Sequence, residues 1–179
     1  TDLRSSASAF WSSNLVVELP AVRDTYVDET DPATGHDGTE IEVGLDTGDA
    51  KDGLFAIDLS GYVGNVPASA TLTITPTAAP AASFDLTLSA NEDLWGLATA
   101  SGWDESLIWD DYVDDVLPAF DAEITTWTAS DATPVTIDVT ETIQRALLFG
   151  DANLNSTLDY QGAAGDIEAF YDAVQDFTA

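Results

Sequence analysis

Along most of the chain, apolar positions recur at every second residue. Ile41, Val43 and Leu45 alternate with polar neighbours, and so do Thr71–Thr75 (TLTIT) and Phe84–Leu88 (FDLTL). An extended chain points successive side chains to opposite faces, so this period predicts half-buried strands. Asn14–Leu19 (NLVVEL, closed by Pro20), Val22–Val27, Leu54–Leu59 (LFAIDL), Ile124–Trp127 and Val135–Val139 (VTIDV) are further strand candidates. Between them, Asp28–Thr39 with its Pro32, and the stretch around Pro76 and Pro80, carry the turn residues that predict loops. About seven or eight short strands separated by such signals predict an all-β fold, an antiparallel β-sandwich of jelly-roll-like type. Helical periodicity is confined to Thr140–Leu148 and Asp166–Phe177. The expected organisation is an N-terminal arm over residues 1–13, a sandwich over 14–148 and a short appendage over 149–179.

Charge changes the picture more than any other property. The chain carries 33 acidic residues against Arg4, Arg23, Lys51 and Arg145, a formal net charge of −29 over 179 residues. Such a surface repels phosphate, so nucleic acid and anionic lipid are disfavoured as partners. It also repels itself unless salt or divalent cations screen it, which fits a marine, hypersaline or calcium-rich exterior. No apolar run approaches the roughly 18 residues of a membrane span, so membrane insertion is not expected. Cysteine is absent, which removes disulfides and thiolate metal sites. The chain begins at Thr1 and contains no Met, which predicts a form processed from a secreted precursor, with a numbered fragment as the alternative.

Four segments then fall in a telling order: DTYVDE (Asp24–Glu29), KDGLFAIDLSGYVGNVPASATLTI (Lys51–Ile74), WDESLIW (Trp103–Trp109) and VTIDVTETIQRAL (Val135–Leu147). This series resembles the DNRLRE-type domain, related to disaggregatase domains and to carbohydrate-binding family 96, across most of Ala21–Leu148. The resemblance implies a β-sandwich and a non-catalytic role in polysaccharide binding or surface attachment. One departure is that the family's final strand, which follows the short helix, is not evident before Gly150. That strand is expected to come from elsewhere, either the arm or a neighbouring molecule.

The tail FGDANLNSTLDYQGAAGDIEAFYDAV (Phe149–Val174) resembles one half of a dockerin, whose calcium loop is an EF-hand variant. Calcium takes hard oxygen ligands at loop positions 1, 3, 5, 7 and 12. Asp151, Asn153, Asn155 and the Thr157 carbonyl fill the first four, Asp159 stands at position 9, and Asp166 lies four residues beyond the Gly162 that occupies position 12. Ser156 replaces the customary turn glycine. The alternative is an Asn/Asp-rich turn leading to a helix capped by Asp166, with Ile167, Phe170, Tyr171 and Val174 on its apolar side. Cohesin-binding dockerins resemble tandem pairs, so a single copy argues against cohesin as a partner and suits a calcium-stabilised staple better.

Little suggests catalysis. The lone histidine, His36, sits in a polar loop, no G-x-S-x-G occurs, and adjacent acids such as Asp104/Glu105 are expected by supply alone in so acidic a chain. Aromatic residues matter more. Trp103 and Trp109 are expected to pack the core, whereas Trp95 and Tyr112 are candidates for exposure and for stacking on sugar rings. Phe10 and Trp11 are costly to leave in water and are expected to dock on this domain or on a neighbour. Two functions follow. One is a secreted module that binds polysaccharide or attaches to a surface, stabilised by calcium. The other is a subunit of an extracellular filament or matrix, in which Phe10, Trp11, Leu15, Val17 and Leu19 add a strand to another copy.

Overall fold

The structure is a computed structural model, and it describes residues 18–36, 40–46, 49–62, 65–90, 106–113, 122–149, 153–161, 167–172 and 176–178. Among these the chain is mostly antiparallel β-sheet, an all-β protein with few helices. The strands are β1 (Glu18–Asp28), β2 (Glu40–Asp46), β3 (Asp49–Asp58), β4 (Thr71–Ile74), β5 (Phe84–Ala90), β6 (Ala122–Ala129), β7 (Val135–Asp138), β8 (Asn153–Gln161), β9 (Ile167–Asp172) and β10 (Asp176–Thr178). They hydrogen-bond in the order β6-β5-β8-β3-β1-β10-β4-β7, with β2 paired to β3 and β9.

Two separate strands are expected at 14–19 and 22–27, but from Glu18 onward the chain runs as a single strand, β1. Its register shifts between Ala21 and Arg23, so that Glu18–Pro20 pair with β10 and the remainder with β3. Pro20 lies beside this irregularity, a position that tolerates a missing N–H. Exposed Val22 sits at the shift.

The larger corrections concern the tail. Asn153–Gln161, expected as a calcium loop, is the strand β8, lying between β3 and β5. Leu154, Ser156 and Leu158 alternate with Asn155 and Thr157, and all five are buried. Ladder bonds on both sides decide the backbone where side-chain composition alone suggested a turn. Among the described residues, this strand is the next element after the helix that ends at Phe149. Ile167–Asp172, expected as helix, pairs residue by residue with β2 as β9. In so short a run Ile167, Phe170 and Tyr171 fit either period, and the waiting edge of β2 selects the strand.

The helix expected over Thr140–Leu148 is present as Thr140–Phe149. Asp138 Oδ1 accepts from the Thr140 N–H at 2.9 Å, and Thr140 Oγ1 accepts from the Ala70 N–H at 2.9 Å, fixing the helix start to the chain before β4. Ile143, Ala146 and Leu147 are buried on one side while Leu148 is exposed. A single helical turn, α1 (Trp109–Asp111), precedes it in the chain, so the longer helix is α2.

Antiparallel pairing sorts the central strands into two faces. On the inner face Phe55 and Ile57 of β3, Leu86 and Leu88 of β5, and Leu154 and Leu158 of β8 are fully buried. They form one cluster with Leu72 and Ile74 of β4, Ile137 of β7, and the buried side of α2. Gly53 has no Cβ for a reason: one there would strike the Ile41 and Val43 side chains of β2. The second face carries Leu54, Ala56 and Val27, covered by Leu107 and Tyr112. Burial on both sides accounts for the near-continuous apolar run of LFAI in β3.

Candidate functional site

The second face turns polar as it runs from β3 to β6. Register places Asp85 opposite Thr128, Thr87 opposite Thr126 and Ser89 opposite Glu123, all on that face. An irregularity at Leu88/Ser89 takes up Ile124. The side chains join: Thr87 and Thr126 hydroxyls lie 2.8 Å apart, Thr126 donates to Glu123 at 3.1 Å, and Thr128 donates to Asp85 at 2.7 Å. Asp85, Glu123, Thr126 and Thr128 are exposed, whereas Thr87 and Ser89 are buried. Toward the interior, Thr157 stands opposite Ser89, and Asn155 follows along β8.

The buried end of this row is closed by residues 106–113. Their helical turn α1 lays Tyr112 against the sheet with no exposed surface. Tyr112 Oη donates to Asp52 Oδ2 at 3.0 Å and lies 3.4 Å from Thr157 Oγ1, which itself donates to the Gly53 carbonyl at 3.1 Å. Tyr112 is thus not the exposed stacking residue expected: its ring supplies apolar cover and its hydroxyl bonds one oxygen of the buried Asp52 carboxylate. Trp109 is half-buried beside it, ring centroids 5.8 Å apart.

One residue before Asp52 in β3 stands a buried charged group that sequence reasoning missed. Lys51 Nζ lies 2.7 Å from Glu42 Oε2 and 3.6 Å from Asp28 Oδ2, with the Tyr26 ring centroid at 5.9 Å. Asp28 Oδ1 accepts from the Thr30 N–H at 2.8 Å and from the Thr30 hydroxyl. Burial alone would push the Asp28 carboxyl up, but the Thr30 bonds and the positive charge of Lys51 together hold it below the ordinary value. Nor is His36 a solvated loop residue. It bridges to Tyr26, its ring stacked at 4.3 Å, and its carbonyl accepts from Thr25 Oγ1 at 2.9 Å. A lone lysine opening an apolar strand run was the available signal for the charged group. For the polar row it was threonine at alternate positions, Thr126 and Thr128.

Of the residues expected to hold calcium, Asn153, Asn155 and Thr157 stand on β8, and Asp159 shares its backbone. In a strand, alternate residues are spaced by roughly 7 Å, so these backbone positions do not wrap one ion as an EF-hand loop does. The strand thus does not fit a dockerin-type calcium loop. Asp151 and Asp166 lie outside the described residues, as do Trp95, Phe10, Trp11, Leu15 and Val17. Leu19 packs on the chain's own inner cluster. Among the described residues no three His, Cys, Asp or Glu side chains gather as a metal group, and no helix is long and apolar enough to cross a membrane.

No protein-family model matches the chain, and no curated protein is found to be similar to it.

Proposed function

We propose that the chain is a non-catalytic, extracellular β-sandwich module of the DNRLRE type it resembles, attaching to a surface by binding polysaccharide. The observation that supports this is the row of exposed hydroxyls and carboxylates, Asp85, Glu123, Thr126 and Thr128, on a firmly supported sheet face. Sugar hydroxyls both donate and accept, and carboxylates and threonine hydroxyls on a rigid strand pair are complementary to them. A net charge of −29 selects a neutral glycan over an anionic one. Calcium enters as a stabilising counter-ion of the acidic surface.

The second reading, a filament or matrix subunit joined by strand addition, is favoured by β6, which pairs only with β5 among the described residues. It carries no Lys or Pro to discourage further pairing.

A glycan array of neutral and anionic polysaccharides, followed by calorimetric titration with and without calcium, tests the proposal. Neutral glycans are expected to bind the parent and to be lost from the doubly substituted Glu123→Gln, Thr126→Val chain. A folded parent that retains no neutral glycan overturns it, and ordered polymers in electron micrographs of that sample would establish the second reading.

A further inference from the structure

We propose that Lys51 is the site of an intramolecular amide cross-link, its Nζ joined to Cγ of Asp28 with loss of water. The inference is independent of the polysaccharide proposal. Lys51 is the sole lysine of the chain, and it is buried in a protein with 33 acidic residues and abundant solvent-facing positions. It stands directly across from Asp28 in the β1–β3 ladder, so backbone register holds the two groups together without a search.

Glu42, Asp28 and Thr30 divide the chemistry. Glu42 Oε2, 2.7 Å from Nζ, is the proton carrier. It takes one proton from the ammonium and passes it to Asp28 Oδ2, leaving a neutral amine facing a neutral acid. The amine attacks Cγ. Negative charge develops on Asp28 Oδ1, the oxygen already held by the Thr30 N–H and hydroxyl, which act as an oxyanion hole. Glu42 then moves a second proton from nitrogen to Oδ2, the Cγ–Oδ2 bond breaks, and water leaves. Two protons of the ammonium end on that water, the third remains on the amide, and Glu42 is regenerated. No oxidant or cofactor is needed. The resting ion pair lies on the unreactive side of this proton transfer, so bond formation is a slow, single event in each chain.

The consequence is a covalent tie between β1 and β3 in a chain without cysteine. It would close the loop between the two strands and constrain the unfolded chain as a disulfide does.

Intact mass spectrometry of the folded, purified full chain under denaturing conditions, with peptide mapping, tests this. The expected mass is lower than the sequence mass by one water, with a branched peptide linking Asp28 and Lys51. Lys51→Arg, which keeps the charge, and Glu42→Gln are expected to have their full sequence mass while remaining folded by circular dichroism. A parent at full mass overturns the proposal. So does a water loss that persists in Lys51→Arg, which marks ring closure at an Asp–Gly pair such as Asp52–Gly53, and so does a map that joins Lys51 to Glu42.

Discussion

The two faces of the β3–β8–β5 sheet are built by the same strands and differ by an offset of one residue. On the inner face Phe55, Leu158 and Leu88 belong to one apolar cluster with other strands and α2, in which Ser156, opposite Phe55, is a buried polar residue. On the second face Asp52, Thr157 and Thr87 are buried too, but as polar groups tied by Tyr112, Gly53 and Thr126. The inner face holds the strands by removing apolar area from water, which asks only for volume and shape. The second face holds them by hydrogen bonds that leave a desolvated group behind when one partner is removed. Substitutions of equal size should therefore behave differently on the two sides.

The largest effect belongs to the inner face. Phe55→Ala removes a fully buried ring from the cluster and should cost about 3–5 kcal/mol of unfolding free energy in urea titrations. A cost near that of a surface change would mean that the cluster is not the main support. Next comes Tyr112→Phe, which keeps the ring and deletes only the hydroxyl bonded to Asp52. Its expected cost is about 1.5–3 kcal/mol, since the bond goes to an acidic group in a buried setting.

These two residues also show what a sequence conveys. The inner face was legible, because alternation in Thr71–Thr75 and Phe84–Leu88 and the LFAI run in β3 reports burial directly. Helix α2 was legible from its period. Tyr112 was not: an aromatic residue in an acidic loop gives no sign that its hydroxyl will find Asp52, sixty positions earlier in the chain. The same holds for β8. Asn153, Asn155 and Asp159 at alternate places carry the spacing of a calcium loop and equally the spacing of one strand face, and only the ladders with β3 and β5 separate the two. For Lys51 the only sign is a lone lysine opening an apolar strand run, because its charge pairing across β1, β2 and β3 is a property of register.

Adjacent residues of β8 offer a sharper contrast. Ser156 points to the inner face, fully buried, and its Oγ has no hydrogen-bond partner among the described residues. Thr157 points to the second face and is bonded to Gly53. Ser156→Ala should stabilise by about 1 kcal/mol, because a desolvated hydroxyl without compensation is removed. Thr157→Val should destabilise by about 1 kcal/mol for the opposite reason. Equal signs in thermal melts would break the distinction between the faces.

Acid provides a test outside both faces. Bonds from Thr140, first to its hydroxyl and then to its N–H, hold the exposed Asp138 carboxyl below its ordinary value of 3.8, and Asp58 and Asp131 are held down in the same way by Ser60 and Thr133. A carboxyl whose folded pKa is depressed contributes stability that is complete above the unfolded value and is lost as pH falls through the folded one. Asp138→Asn keeps the acceptor oxygen and removes the titration. The parent should therefore melt higher than the variant at neutral pH, and that lead should shrink as the pH falls below 3.8.

The smallest effect on stability is expected where the proposed function is most exposed. Thr128 and Asp85 face solvent at the rim of the second face, and their hydrogen bond competes with water. Thr128→Val should shift the unfolding free energy by no more than about 0.5 kcal/mol, and valine suits a strand as well as threonine does. Against this, a row whose purpose is to present hydroxyls loses one of its donors. If melting is unchanged while neutral glycan retention falls, the outer part of the second face is a recognition surface. If melting falls together with retention, the rim belongs to the same supporting network as Tyr112 and Thr157, and the division lies between the two faces alone.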